Sequence, residues 1–229
     1  MKLYELAAAD GRRFSPFCWR TRLALALKGM SAEAVPVEFL AIPGICGGTG
    51  KSVPTLELDD GEAVVDSFEI ALRLDELQPD KPLFRGSAAQ AHCRTIEGWA
   101  NVGVAMQVRN LVIVDIWAAQ SPDNRAYFRD SREKRFGSTL EDLQQGREER
   151  VKPFNEVTLA PAAHALAHAD WLGGDAPDYA DCLVFGSLVW GPVISDFEIL
   201  RDGPVKDWFR RCCGLLDGEP EIAAVLAKL

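Results

Sequence analysis

The chain has no block of Lys or Arg, and acids outnumber bases 34 to 25 for a formal charge of −9. Without clustered cations to displace counterions, a nucleic-acid partner is excluded. A small anionic ligand stays open, because long-range repulsion is screened beyond about 8 Å at physiological salt. No apolar run is long enough to span a bilayer, so no transmembrane segment is expected. Met1-Lys2-Leu3-Tyr4-Glu5 leads straight into a strand pattern, so no signal peptide is expected either. Histidine is scarce. His92 stands alone, and His164 and His168, four apart on one expected helix, have no evident third ligand. That pair reads as a solvated face, and no metal is expected. Cys18, Cys46, Cys93, Cys182, Cys212 and Cys213 show neither metal-ligand spacing nor a compact disulfide framework. They read as buried reduced thiols in a cytoplasmic protein.

What is present is ordinary globular material, 48% hydrophobic and 26% charged, in a length that suits one large or two small domains. The organising stretch is Arg13-Phe14-Ser15-Pro16-Phe17-Cys18-Trp19-Arg20. Ser15 suits a helix N-cap and Pro16 the first helical position. Leu23, Ala24 and Leu27 follow at helical spacing, and Gly29 is placed to end the helix. Strand patterns flank it at Lys2–Leu6 and at Ala34–Phe39, giving one βαβ unit. Such a helix start presents unpaired N–H groups and partial positive charge to an anion. If the anion is a thiolate, a hydroxyl bond contributes roughly 1.5–3 kcal/mol and the dipole about 0.3–1. Together they lower a thiol of pKa ~8.5 by about one to three units with no general base. The plainer reading is that Ser15 only caps its helix.

Residues 40–52 are rich in Gly, Ile and Pro. Their GGTGKS run resembles part of a phosphate-binding loop, but it lacks the first glycine and a leading strand, so a loop is expected. Ser52–Leu58 and Glu62–Val65 read as two strands around Asp59-Asp60-Gly61, a hairpin. Pro54 belongs at an edge or in a special turn, with a cis bond allowed. Asp66-Ser67-Phe68-Glu69 then opens a second helix, with Asp66 and Glu69 spaced as in a capping box. The alternative to plain capping is a site for a zwitterionic amino-acid end. Asp66 would take the ammonium, and Ser67 with the helix N–H groups the carboxylate.

Gln78–Gly86 carries two prolines, charges and a glycine, and reads as a linker. Beyond it strand signals stop. Helices are expected over 88–101, 102–118, 139–149, 153–169, 204–216 and 220–228, with a polar loop or short helix over 119–138. Asp178-Tyr179-Ala180-Asp181 caps a helix to Trp190 that is apolar nearly all round and therefore central.

A βαβ-ββα domain followed by an all-helical one resembles the glutathione transferases. The likeness rests on Ser15-Pro16-Phe17, Val53-Pro54, Asp66-Ser67 and Asp178-Tyr179-Ala180-Asp181. Closer features are similar to the bacterial β-aryl etherases and fungal class A transferases. These are Trp19-Arg20-Thr21, Asp59-Asp60-Gly61-Glu62, Thr139–Asp142 with Gly146-Arg147-Glu148, Trp171–Asp175, and Asp207-Trp208. The resemblance implies a thioredoxin-like glutathione-binding domain (1–78), a linker (79–86) and an all-α domain (87–229). It implies Ser15 holding the glutathione thiolate, Val53 before a cis Pro54 pairing with the tripeptide backbone, and Asp66 and Ser67 holding its γ-glutamyl end. Trp19 would line the same cleft or anchor the core. Trp99, Met106, Val108 and Trp117 are candidate walls of the pocket for a hydrophobic electrophile, or else core. Lys51 is a weak candidate for the glycyl carboxylate. A homodimer is implied as well.

Three functions follow as expectations. The first is a transferase in which glutathione attacks an apolar, aromatic electrophile by conjugation or β-aryl-ether cleavage. The second is a non-catalytic binding module for glutathione or a hydrophobic ligand. The third is a thiol oxidoreductase using Cys18. Cysteine-type relatives have Cys where this chain has Ser15, and Cys18, one turn on, is expected to face the helix packing.

Overall fold

The computed structural model describes residues 1–48 and 50–229. A four-stranded sheet has the order β2-β1-β3-β4. β1 (Lys2–Leu6) runs parallel to β2 (Glu33–Val37), pairs antiparallel with β3 (Thr55–Glu57), and β3 with β4 (Ala63–Val65). Pro36 is tolerated because β2 is an edge strand. The β3–β4 turn closes as its sequence requires. Gly61 takes φ +89° and donates to Leu58 O, while Glu62 N–H bonds Asp60 Oδ1.

Between β1 and β2 lies α1 (Pro16–Lys28), with Ser15 at its N-cap and Gly29 at φ +66° ending it. A 3-10 turn (Phe39–Gly44) and one irregular turn, α2 (Ile45–Gly48), precede β3. α3 (Ser67–Leu77) follows β4, capped by Asp66, which accepts from Phe68 N and Glu69 N at 2.8 and 3.3 Å. The expected reciprocal half of a capping box is not made, because the Glu69 carboxylate pairs with Arg94.

Then come helices only. α4 (Ser87–Trp99) and α5 (Met106–Ala118) are joined by a π-helical stretch over Ala100–Ala105, so the two expected helices run on without a loop, and α5 kinks at Val112, where φ is −135° and ψ 15°. Residues 122–136 are not a loop. They form the 15-residue α6 (Pro122–Phe136), started by Ser121-Pro122 and ended by Gly137 at φ +66°. The single helix expected over 139–149 is broken at Gly146, also at φ +66°, into α7 (Leu140–Gln144) and α8 (Arg147–Pro153). The one expected over 153–169 is a π-helical turn (Phe154–Thr158) and α9 (Ala160–Leu166).

At the centre is α10 (Tyr179–Ile194), buried along its whole length. Its capping box is complete, and Asp181 accepts from Leu172, Gly173 and Asp178 N–H and from Trp208 Nε1. α11 (Pro204–Gly214) and α12 (Pro220–Leu226) close the chain back onto the sheet side. The architecture is a thioredoxin-like α/β domain followed by an all-helical one. Among the described residues, no helix is long and apolar enough to cross a membrane.

Candidate functional site

A cleft of about 570 Å³ opens where the start of α1 faces α5 and α6, a size suited to a small-molecule site. Ser15 lines it and is only 4% exposed. Its Oγ accepts a long 3.4 Å bond from Cys18 N and also lies within hydrogen-bond reach of the Cys18 thiol, so a ligand in the cleft competes with Cys18 for the hydroxyl proton. Val53 lines the cleft beside Ser15, and its bond to Pro54 is cis. Thr55 pairs with Val65, so the same register carried one residue back sets Pro54 opposite Asp66. Asp66 and Ser67 themselves are not among the residues that line the cleft.

At the start of α3 Asp66 adopts φ +81°, a region costly for any residue but glycine. Ser67 is 1% exposed, and its Oγ has no hydrogen-bond partner among the described residues. Its carbonyl is fixed by the buried Tyr179 hydroxyl at 2.6 Å. An orphaned buried hydroxyl at a helix N-terminus suits an anion such as an amino-acid carboxylate.

Trp19 does not line the cleft. It is fully buried, and its Nε1–H donates to the Arg13 carbonyl at 2.7 Å, which makes it a core anchor for the loop before Ser15. Cys18 faces the packing, and burial foremost, with the Glu5 charge second, pushes its thiol up to about 12. A neutral, inaccessible thiol is no nucleophile, which removes the oxidoreductase reading. None of the six cysteines is in a disulfide. His164 and His168 stack edge to face at 5.1 Å, and no group of residues placed to hold a metal occurs among the described residues.

The expected walls also shift. Val108 is core, Trp99 bonds Thr158 O, Met106 faces outward, and Trp117 lies under Arg125 and Arg129. The cleft is instead walled by Arg109 and Ile116 of α5, by Trp190 of α10, and by Tyr127, Phe128, Arg132, Arg135 and Phe136 of α6. A π-helical stretch precedes α5 and a kink at Val112 interrupts it, so a simple 3.6-residue period does not give the face it presents, and α6 was hidden by its polarity. Arg20 was equally hard to find. It is fully buried, bonds Asn101 Oδ1 (2.7 Å) and Ser187 Oγ (2.8 Å), and leaves Nε and one terminal nitrogen without partners among the described residues. Burial lowers its pKa, and Tyr179, Glu97 and Asp66 oppose that. Lys51 and Ser52 lie on the cleft rim, preceded by a 3-10 turn and not by a strand as a phosphate loop requires. Thr49 of that run lies outside the described residues.

Residues 14–77 match the glutathione S-transferase N-terminal domain family, and residues 91–212 the glutathione S-transferase C-terminal domain family. A glutathione S-transferase-like protein of Aspergillus flavus is 27% identical over 172 residues, covering 70% of this chain and 60% of that protein's length. A zeta-class glutathione S-transferase of Euphorbia esula is 33% identical over 167 residues, 64% of this chain and 70% of that one. Among solved structures, a glutathione transferase of Phanerochaete chrysosporium superposes with a TM-score of 0.81 at 23% identity, covering 93% of this chain and 96% of its own. A glutathione S-transferase of Ceriporiopsis subvermispora, in complex with glutathione, gives 0.80 at 22% identity, covering 96% and 98%.

Proposed function

The chain belongs to the glutathione S-transferase family, and from that premise we propose that it is a glutathione transferase in which Ser15 activates the thiol. The observation that carries this is the pairing of two helix starts. One offers the Ser15 hydroxyl to an aromatic cleft, and the other, outside the lining of that cleft, holds the partnerless Ser67 hydroxyl at the end of β4, whose last residue Val65 pairs with Thr55 next to cis Val53-Pro54. Glutathione supplies the nucleophilic sulfur. Ser15 Oγ donates to the thiolate, and the α1 N-terminus adds positive potential. Ser67 Oγ and Ser67 N–H, the first-turn N–H that Asp66 does not cap, take the γ-glutamyl carboxylate, Asp66 the ammonium, and the Val53 backbone the cysteinyl unit. Lys51 is available for the glycyl carboxylate. Residues 1–78 would hold the tripeptide, and 87–229 would form the second substrate's wall across the 79–86 linker.

The thiol proton goes to solvent, since no carboxylate or histidine is among the described residues lining the cleft. The sulfur then forms a bond to an electrophilic carbon, and the leaving group departs with its electron pair. In an etherase that group is an aryloxide, and the aromatic lining supports an aromatic substrate of either kind. We extend the proposal by kinship to a homodimer in the cytoplasm.

The test is Ser15→Ala. The bound thiol, titrated by thiolate absorbance, should rise by about one to two pKa units, and kcat/KM at neutral pH should fall about 10- to 100-fold. An unchanged thiol pKa and unchanged turnover would overturn the scheme.

A further inference from the structure

The cleft before Ser15 is cationic in a protein that is anionic overall. Lys51, Arg109, Arg132 and Arg135 line it, and no carboxylate does among the described lining residues. The contrast within α6 is informative. Arg129, pointing away, is clamped by Glu133 and Glu141 at 2.7 Å each. Arg132 and Arg135, one and two turns on and facing the cleft, form no ion pair among the described residues, and neither does Arg109. Their hydrogen-bond partners are neutral. Arg132 donates to Ser131 Oγ at 2.9 Å, and Arg109 to Asn110 Oδ1 at 2.9 and 3.1 Å.

Each guanidinium lies over the aromatic lining. Arg132 sits 4.7 Å from the Phe39 ring and 4.6 Å from Phe128, Arg109 is 4.0 Å from Phe136, and Arg135 is 5.6 Å from the same ring. Stacking covers the guanidinium face and leaves its fork of N–H donors at the edge, the geometry that receives a carboxylate or sulfonate. Burial, and then the Arg135 charge, lower the pKa of Arg109; burial also lowers that of Arg132, where the Tyr127 hydroxyl opposes it and the Arg135 charge adds to it. Arginines stay charged regardless, so Arg135 repels both Arg109 and Arg132 until an anion enters.

We propose that the second substrate is an organic anion: a flat aromatic body in the cleft against the exposed Phe17 and Tyr127 rings, with a carboxylate or sulfonate held by Arg109, Arg132 and Arg135. This rests on the transferase reading and replaces a purely apolar electrophile with an amphipathic one. The acidic tail sits against the α5–α6 wall, and the electrophilic carbon points to Ser15.

The test compares 4-chloro-3,5-dinitrobenzoate with its neutral methyl ester. In each the glutathione sulfur bonds the chlorine-bearing carbon, chloride leaves with the C–Cl electron pair, and the thiol proton goes to solvent. Each enzymatic rate is divided by the uncatalysed rate with free glutathione, which removes intrinsic reactivity. The acid should be favoured over the ester in the intact protein. Arg132→Gln and Arg109→Gln should each cut the acid-to-ester ratio about 10-fold, with Arg132→Lys recovering part of it. An unchanged ratio overturns the proposal. So does a loss of glutathione affinity at constant ratio, which would assign the arginines to the tripeptide's own carboxylates. A second arm needs no turnover and separates this claim from the transferase reading. Calorimetric binding of 3,5-dinitrobenzoate, which has no leaving group, should weaken about 10-fold in both variants and with added salt. Equal binding of that acid and its methyl ester overturns the anion site even if the enzyme is a transferase.

Discussion

Ser67 shows how one hydroxyl can be costly to the empty protein and useful to the loaded one. An unpaired buried polar group costs about 1–3 kcal/mol, and the Ser67 Oγ is such a group. Ser67→Ala should therefore leave the melting temperature of the ligand-free protein unchanged or raise it by about 2–8 °C. If the ligand is the hydroxyl's partner, as proposed, glutathione affinity measured by calorimetry should weaken about 10-fold. A fall in both would mean that the hydroxyl serves the fold. Ser15 and Asp66 were legible in the sequence as helix caps, which follow local rules of residue type and spacing. Trp19 and Arg20 were not. A tryptophan or arginine one turn into a helix can face cleft or core, and only the contact with Arg13, Asn101 and Ser187 decides.

Elements set the Ser15 position through a close contact that only glycine allows. A Cβ on Gly186 of α10 would lie 2.5 Å from the Pro16 carbonyl oxygen, 2.6 Å from Arg20 Cγ and 2.9 Å from Arg20 N. Two of those atoms are α1 backbone, so relief requires the helix start to move, and Ser15 with it. Gly186→Ala should cost about 1–3 kcal/mol as overpacking, a fall of roughly 2–12 °C in melting temperature. It should also lower kcat/KM at temperatures where the protein stays folded. Gly214→Ala, where a Cβ meets nothing within 4 Å, is the control and should do neither. A Gly186→Ala protein with normal melting and turnover would show that α1 is not held this way. At this scale the sequence was uneven. α1, α3 and α10 carry strong caps and were readable. α6 was not, because little of it is fully buried beyond Asn124 and Phe128, so its apolar stripe is thin. The turn at Gly146 and the two π-helical stretches were also invisible to a simple 3.6-residue period.

Across the whole molecule, the far end of the chain returns to brace the loop before Ser15. Glu221 on α12 accepts from Arg13 N (3.1 Å) and from Arg13 Nε (2.6 Å), Glu219 accepts from Arg13 and Arg22, and the buried Glu5 of β1 pairs with Arg22. No local pattern in the sequence ties residues 208 apart, so this brace was unreadable before folding. The Glu221 side chain is 6% exposed. Burial pushes its carboxyl up, but the Arg13 hydrogen bonds outweigh burial and hold it below the ordinary carboxylate value. The unfolded chain therefore binds a proton more readily than the folded one. Stability from this pair is fully present above the unfolded pKa of about 4.3 and is lost as pH falls through the lower folded value. Glu221→Gln should destabilise the protein at pH 7 by about 1–3 kcal/mol, less than a lone buried pair would cost because Arg13 keeps Glu219. Melting temperature against pH, from 5 down to 3, should fall less steeply in the variant than in the parent. Because the Arg13 N–H bond to Glu221 sits two residues before Ser15, the variant should also raise the pKa of bound glutathione under conditions where it is fully folded. If the acid limb of the melting curve is equally steep in both proteins, another carboxylate governs acid unfolding. If the thiol pKa does not move, the position of Ser15 does not depend on α12.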